Sequence, residues 1–323
     1  MIDRIRVGKR IGQKRRELGI SQTALAERLG VTSQAVSKWE RGSGLPDIEL
    51  LLALSRLFGT SVNALLEGGD PIAEMGLGIS PSGGVYDFLA GRDLSEYDSF
   101  SDMLVRGGVM AESWRRSARA DHPFREIGRR IAEAGGRILE IGAGPGGGFM
   151  PFILRADPNA SVIVTDLVHG VVREWKRVLD AESDSPNLGF AVCDFTALPF
   201  PDASFDTVSD CGGIANAVGD RDRALAEAYR VLKPGGMLVT FNLFVGAEEK
   251  IPPGIRELLE AEYPDAFRDL YAETVGAGFR KIESEIVDVR STDRDDSGFA
   301  LRCRELGIRL KRTGYVRVCI KGL

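Results

Sequence analysis

The pattern with the clearest chemical meaning is a glycine-rich turn, GAGPG at residues 142–146, which follows the apolar segment ending at Ile141. Without side chains, glycines let a backbone approach a ligand closely. Glu140 lies two residues before Gly142. Asp166 ends the next apolar segment 26 residues after Glu140, where an acid can accept hydrogen bonds from both hydroxyls of a ribose. This pattern alone fits several adenosine-containing cofactors, NAD included.

Further residues downstream narrow the choice of ligand. Cys193-Asp194-Phe195 ends a third apolar segment, where an acid can bind an adenine amino group and an aromatic ring can cover the base. The string LPFPDASFDTVSD then ends at Asp210, and VLKPGGMLV opens a fifth apolar segment.

This series of motifs resembles the class I S-adenosylmethionine (SAM)-dependent methyltransferases, particularly the small-molecule branch related to enzymes of ubiquinone and menaquinone biosynthesis. The resemblance covers residues 125–245 and extends loosely to the end of the chain. It implies SAM as cofactor, bound at the carboxyl edge of a Rossmann-like α/β sheet of seven strands with an antiparallel last strand. By the same resemblance, the glycines would hold the methionine part of SAM and Asp166 would bind the ribose. Asp194 and Phe195 would hold the adenine, and Asp210 and Cys211 would lie beside the sulfonium. The full predicted set is Glu140, Gly142, Gly144, Gly146, Asp166, Asp194, Phe195, Asp210 and Cys211.

A second chemical pattern lies in a short helix that Thr32 can cap and that ends near Gly42. At 100° per residue, its hydrogen-bonding and positive side chains share one arc, while Val36 and Trp39 lie on the opposite side. A helix with short polar groups for base edges and cations for phosphates suits the major groove of DNA. The polar arc holds Ser33, Gln34, Ser37, Lys38 and Arg41.

The string SQTALAERLGVTSQAVSKWERGSGLPD resembles the phage repressor/Cro (XRE-type) helix-turn-helix family over residues 5–66. The resemblance implies an all-α bundle that binds operator DNA as a homodimer. Ser33, Gln34, Ser37 and Lys38 would face DNA, and Gln22 would contact a phosphate. The alternative is a helical bundle reused for dimerisation only.

Catalytic groups are harder to assign. Methyl transfer is an in-line displacement in which positioning supplies most of the catalysis, so a general base is optional. His122 and His169 are more often packing residues than bases, and we assign no catalytic residue. Residues 211–217 read CGGIANA, which is small and mostly apolar where related enzymes often place a histidine pair, so Asn216 is the one polar candidate for contacting an acceptor.

The elements that must position these residues alternate between strand-like and helical segments, as in a parallel α/β sheet. We divide the chain into a helix-turn-helix domain (1–67), a glycine-rich linker (68–84), a helical lid or interdomain segment (85–124) and a methyltransferase domain (125–323). In the third segment Tyr86, Phe88, Tyr97, Phe100 and Trp114 fit either a lid or domain packing. The predicted strands are 137–141, 161–166, 188–193, 206–209, 237–244, 281–289 and 315–320, with a helix at about 299–311 between the last two.

Composition adds limits on location and partners. Residues 1–70 carry a formal charge of +3 and the remainder −8, which suits a phosphate-bearing partner at one end. Four widely separated cysteines and two histidines argue against a zinc site and for reduced thiols. No apolar run is long enough to span a membrane and no signal peptide is evident, so we expect a cytoplasmic location.

Three functional hypotheses follow. The first is a small-molecule methyltransferase fused to a transcriptional regulator module. The alternative is a transcription factor whose methyltransferase fold senses SAM or S-adenosylhomocysteine without turnover. The third, a DNA methyltransferase, is disfavoured: an Asn/Asp-Pro-Pro-aromatic motif is expected after the fourth strand, where this chain has Asp210-Cys211-Gly212-Gly213, and the acidic domain would repel a duplex.

Overall fold

The computed structural model describes residue 2 and residues 4–92, 108–217, 220–295 and 297–322, and it combines a small helical bundle with one large mixed sheet. Among these residues no helix is both long enough and apolar enough to cross a membrane. Tyr97 and Phe100, predicted as part of a lid or a packing surface, lie outside the described ranges.

The bundle lies at the N-terminal end of the chain, and side-chain caps define the starts of several of its helices. Ser21 and Thr32 accept hydrogen bonds from the backbone N–H groups of Ala24 and Ala35 at the starts of the second and third helices. Val36 and Trp39 are buried in the bundle core, as the angular pattern predicts. The five helices are α1 (Arg4–Glu17), α2 (Gln22–Leu29), α3 (Ser33–Glu40), α4 (Ile48–Phe58) and α5 (Val62–Glu67).

The sheet has eight strands rather than the seven predicted. They lie in the order β1-β4-β3-β2-β5-β6-β8-β7, and β8 runs antiparallel to both of its neighbours while the other pairings are parallel, as predicted for the last strand. The extra strand β1 is only two residues long and pairs with the end of β4. The strands are β1 (Tyr86–Asp87), β2 (Arg137–Ile141), β3 (Ser161–Asp166), β4 (Leu188–Val192), β5 (Phe205–Asp210), β6 (Leu232–Val245), β7 (Arg280–Ser291) and β8 (Lys311–Ile320).

Alternation along the strands divides the core into two layers. In β2, Ile138 packs on one face of the sheet, while Leu139 and Ile141 pack on the other. The first layer is completed by α6 (Val109–Arg116), α7 (Arg125–Ala134), α8 (Met150–Ala156) and α9 (His169–Glu182), and the second by α10 (Gly213–Asn216), α11 (Arg221–Val231) and α13 (Tyr271–Gly276).

A separate small cluster covers the end of the sheet near β6 and β8. It contains α12 (Pro253–Glu262), the 3₁₀ turn Pro264–Phe267 and α14 (Gly298–Glu305), packed around Phe299 and Leu259. The basic helix predicted at 299–311 is therefore shorter, because Gly307 turns the chain with a φ of +68° toward β8.

The helical bundle lies against the amino edge of the sheet through α1. Lys9 pairs with Asp157 at 3.0 Å, and the Gln13 amide donates to the Gly136 carbonyl at 3.2 Å. Glu74 pairs with Lys14 of the bundle and, at 3.4 Å, with Arg137 at the start of β2.

The glycine-rich segment between the two parts also packs on the sheet. Ile72 is 1% exposed within the second core layer, and the Gly69 N–H donates to the Asn187 side chain at 3.3 Å. Tyr86 is buried as well, and burial followed by the charge of Asp70 raises the pKa of its hydroxyl to about 12. These contacts fix the orientation of the bundle relative to the sheet.

Candidate functional site

The glycine turn leaves β2 at the carboxyl edge of the sheet, opposite the bundle. Gly144 has a φ of +53°, and its carbonyl accepts a hydrogen bond from the Trp175 indole at 2.7 Å. Gly148 has a φ of +58°, and a Cβ there would overlap the Glu140 carboxylate. The turn is therefore fixed by the buried Trp175 and Glu140 beneath it, and glycine is required at position 148 by close approach.

Glu140 lies beneath the glycine turn and is fully buried. Its carboxylate accepts hydrogen bonds from the Ser209 hydroxyl at 2.5 Å and from the Phe149 N–H at 3.1 Å. Burial raises the pKa of this carboxyl well above its ordinary range. Because Glu140 is fully buried, does not line the cavity and is bonded to β5 and to the turn, its position suits holding the turn.

Asp166, at the end of β3, faces the same turn. Its two carboxylate oxygens accept from the Gly144 N–H at 2.8 Å and from the Val168 N–H at 2.9 Å. The side chain is 8% exposed, and burial raises the pKa of the carboxyl despite these bonds. Each oxygen keeps a second lone pair, so an oriented acceptor is available at this edge.

Asp194 and Phe195 follow β4 on the other side of the turn. One oxygen of Asp194 accepts from the Thr196 N–H and hydroxyl at 2.8 and 2.7 Å, and the other lies 3.7 Å from Arg92. The Phe195 ring packs beside Gly142. The structure thus brings Asp166, Asp194 and Phe195 around the glycine turn.

Asp210 and Cys211 end β5 next to the turn. Asp210 is fully buried, accepts from the Ile214 N–H at 3.0 Å and the Thr240 hydroxyl at 2.7 Å, and burial raises its pKa to about 6. The Cys211 thiol has a pKa raised well above its ordinary value by burial and then by the nearby Glu140 and Asp210. A thiol kept neutral in this way is not an activated nucleophile.

A cavity of about 680 Å³ opens at this edge and is walled on one side by the glycine turn and Cys211. The opposite wall comes from α6 and the segment after it, for which the sequence predicted either a lid or a domain-packing segment. Of the predicted cofactor residues, Gly142, Gly144, Gly146 and Cys211 line the cavity; the residues that were not predicted as ligands include Ser113, Arg116, His122 and Phe124.

The two histidines occupy different environments. His122 lines the cavity, its Nδ1 accepts from the Phe124 N–H at 3.2 Å, and burial, followed by the charges of Arg116 and Arg119, lowers its pKa. A neutral ring whose Nδ1 accepts carries its proton on Nε2, so His122 presents a hydrogen-bond donor rather than a base. His169 instead bonds Asp87 at 2.8 Å, and its side chain does not line this cavity.

A second cavity of about 580 Å³ adjoins the first. Cys211, Gly212 and Asn216 line both cavities. Next to this junction, Phe124 of the first cavity and Phe241 of the second contact edge to face, with ring centroids 5.1 Å apart. A ligand in one cavity would therefore meet a ligand in the other at residues 211–216.

The predicted DNA-facing residues lie together on α3 of the bundle. Ser33, Gln34 and Lys38 are exposed, and Ser37 is half-buried beside them. Gln22 was predicted to contact a phosphate, but in the structure its side-chain amide donates to the Glu40 carboxylate at 2.8 Å. Arg15 pairs with the same carboxylate at 2.6 Å, so these contacts tie α1, α2 and α3 together.

Comparisons with known proteins agree with this two-part architecture. Residues 11–65 match the family model for helix-turn-helix domains, and residues 138–236 match the model for methyltransferase domains. These matches confirm the predicted combination of an N-terminal helix-turn-helix domain with a methyltransferase domain, for which SAM is the cofactor.

Two curated relatives are ubiquinone/menaquinone biosynthesis C-methyltransferases UbiE. That of Bordetella avium is 36% identical over 149 residues, covering 46% of this chain and 53% of the relative. That of Hahella chejuensis is 32% identical over 158 residues, covering 49% and 57%. The chain thus spans about half the length of the curated relatives it matches. Phosphoethanolamine N-methyltransferase 2 of Haemonchus contortus, solved with SAM, aligns with a TM-score of 0.44 at 19% identity over 58% of this chain and 49% of that one.

Proposed function

Since residues 138–236 form a methyltransferase domain and residues 11–65 a helix-turn-helix domain, we propose that the chain methylates a small molecule with SAM and carries a module that regulates transcription. The observation that carries the proposal is the junction of two cavities at Cys211, Gly212 and Asn216. Cavities of about 680 and 580 Å³ suit two small molecules.

The residues around the first cavity fit SAM chemically. The glycine turn leaves room for the methionine part, with Gly142, Gly144 and Gly146 on the cavity wall. Asp166 and Asp194 do not line this cavity but lie at the end of β3 and just after β4 beside the glycine turn, where their carboxylate oxygens are oriented for the ribose hydroxyls and the adenine amino group. When bound, SAM supplies an electrophilic methyl carbon.

The chain's own contribution to transfer is positioning and shielding. The buried Asp210 places a carboxylate behind the Cys211 wall, near a positively charged ligand. Phe124 and Phe241 place apolar rings beside the junction, and the donor on His122 and the amide of Asn216 are available to orient an acceptor. Since positioning accounts for most of the rate in such displacements, this arrangement suffices without a general base.

For the N-terminal module, the proposed role is operator binding through Ser33, Gln34, Ser37 and Lys38, with two copies of the chain on paired half-sites in the cytoplasm. Gln22 would act on phosphates only indirectly, through its bond to Glu40. The acidic remainder of the chain argues against a role in modifying the duplex itself.

One observation favours the sensor alternative. β2 runs from Arg137, which contacts the bundle through Glu74, to Glu140 beneath the glycine turn. The strand β2 thus connects the glycine turn to the DNA-binding module. A regulator that senses SAM would need such a connection, so that ligand binding at the turn could affect DNA binding.

Turnover separates the enzyme from the sensor. Full-length protein is incubated with methyl-labelled SAM and a small-molecule extract of cells, with Asp166→Ala as the inactive control. We expect a labelled small product with the wild type alone. Binding of SAM with no labelled product in extracts would contradict methyl transfer and leave the sensor as the function.

A further inference from the structure

The second cavity continues away from the cofactor side into a third space. This third cavity of about 550 Å³ adjoins it at Arg290 and Asp295, which line both. Together they form a channel that starts at Cys211 and Asn216 and ends at the surface near the end of β7. We call this channel the acceptor channel.

The middle of the acceptor channel has apolar, largely aromatic residues on two sides. Two acids also line it, Glu262 and Asp265, and each is paired with an arginine. Phe241 and Leu243 of β6 form one side, and Tyr263 and Phe299 the other. The rings of Tyr263 and Phe299 contact edge to face at 5.7 Å, within the small core cluster around α12 and α14. Such walls bind the apolar body of a ligand by removing it from water.

The outer end of the channel is lined by three arginines. Arg290 gives its Nε to Asp288 at 2.6 Å, and Arg309 gives one terminal nitrogen to Asp293 at 3.0 Å. Arg294 lies near Asp293, and its charge helps to lower the pKa of that carboxyl, after the bond from Ser291 and the charge of Arg309. Asp295, the acid that lines this end, is paired with Arg312. Burial opposes ionisation of this carboxyl, but the Ser297 N–H bond and then the charge and bond of Arg312 outweigh it and lower the pKa. The Arg309 Nε also donates to the Ser291 hydroxyl at 3.1 Å, and the guanidinium nitrogens outside these bonds are available to an anion.

Most walls of the acceptor channel come from a part of the chain that the methyltransferase model does not match. That match ends at residue 236, whereas the apolar middle and the arginine end lie at residues 241–312. The glycine-turn wall of the cofactor cavity thus lies within the matched segment, whereas most of the acceptor channel is built from residues that follow it.

We infer that the acceptor channel binds the methyl acceptor and that this acceptor is an apolar molecule ending in an anionic group, such as a carboxylate or phosphate. Its apolar body lies along Phe241, Tyr263 and Phe299, and its anion lies at Arg290, Arg294 and Arg309. The opposite end then reaches Asn216 beside the cofactor cavity. This inference rests on the proposed function for the identity of the ligand as an acceptor.

The charge preference is tested with three probes of equal chain length: decanoate, decan-1-ol and decyltrimethylammonium. Each displaces the fluorescent probe 8-anilinonaphthalene-1-sulfonate from the full-length protein. We expect decanoate to act at about tenfold lower concentration than decan-1-ol, and the cation to be weakest. The double substitution Arg294→Gln, Arg309→Gln should reduce that preference to about twofold or less. Arg223→Gln, an exposed arginine outside the channel, is the matched control and should retain it.

The apolar middle is tested at Gly298, which lines the channel beside Tyr263. A Cβ there makes ordinary contact with the Tyr263 ring, so Gly298→Ala is tolerated, whereas the larger side chain of Gly298→Leu fills the space. Gly298→Leu should weaken decanoate and decan-1-ol alike by about tenfold, while Gly298→Ala leaves both unchanged.

SAM affinity, measured by calorimetry on the same proteins, separates the two levels of the proposal. It should stay unchanged in all four variants, because none of the substituted residues lines the cofactor cavity. A wild type that binds SAM but shows no preference for decanoate, or a double variant that keeps the full preference, overturns the inference alone. A wild type that does not bind SAM overturns the proposed function.

Discussion

Replacing Asp210 by asparagine should stabilise the protein in a way that depends on pH. Asp210 is fully buried, and its oxygens accept from the Ile214 N–H and the Thr240 hydroxyl. Asparagine has the same shape: its carbonyl can accept from Ile214, and its amide can donate to the Thr240 oxygen once that hydroxyl rotates. The substitution therefore removes a buried charge while retaining both contacts.

The size of the effect follows from the pKa of Asp210, which burial raises from 3.8 to about 6. Because the folded-state value is the higher one, the contribution of Asp210 to wild-type stability is most favourable at low pH and becomes less favourable as pH rises from about 4 to 6. Integrating that difference gives about 3 kcal/mol at pH 8 and about half of that at pH 5. Asp210→Asn avoids this loss and should be more stable than the wild type by these amounts.

Thermal unfolding followed by tryptophan fluorescence measures the difference. For a domain of this size, the melting temperature of Asp210→Asn should rise by roughly 6–12 °C at pH 8 and by about half as much at pH 5. Asp180→Asn, whose carboxylate is exposed beside Lys176, is the control and should change it little at either pH. A melting temperature below that of the wild type, or a rise of equal size at both pH values, would refute the assignment of Asp210 as a buried charge that opposes folding.

Three further substitutions test the turn, the docking of the two parts and the DNA-binding face. Gly148→Ala should lower the melting temperature by several degrees because its Cβ overlaps Glu140. Gly146→Ala is the control and should leave the melting temperature unchanged, since the space around Gly146 is open. Equal melting temperatures of the two variants would contradict the packing argument. Glu74→Gln, which breaks the pairs with Lys14 and Arg137, should reduce stability by about 1–2 kcal/mol in urea unfolding; the exposed Glu133→Gln is the control, and no difference between them would contradict a structural role for Glu74. Gln34→Ala with Lys38→Ala should abolish operator retention on a gel while SAM affinity is kept, and retention by the double variant would contradict the role of α3.

Local patterns were sufficient for much of the fold. The caps at Thr32 and Ser21 and the apolar side of α3 are local in sequence, so α2 and α3 were predictable. The apolar runs that form β2 and β3 were long enough to be recognised with their ends. The eighth strand was missed because β1 is two residues long and exists only through pairing with β4.

Contacts between distant parts of the chain explain what sequence patterns missed at the site. Glu140 precedes the glycine turn in sequence, but its bonds to Ser209 and Phe149 direct it beneath the turn. The arginine and histidine wall of the cofactor cavity depends on how α6 packs across the sheet edge. The acceptor channel likewise arises where Tyr263, Arg290 and Phe299 line one cavity with residues of β6, although they lie apart along the chain.

The central claim is that the cavity at the glycine turn binds SAM through Asp166, and calorimetry on the full-length chain tests it most directly. Loss of one charged hydrogen-bond acceptor predicts that Asp166→Ala binds SAM about 10- to 100-fold more weakly than the wild type. Asp202→Ala, an exposed acid far along the chain from the turn, should bind as the wild type does. Equal SAM affinities of the wild type and Asp166→Ala would contradict the account.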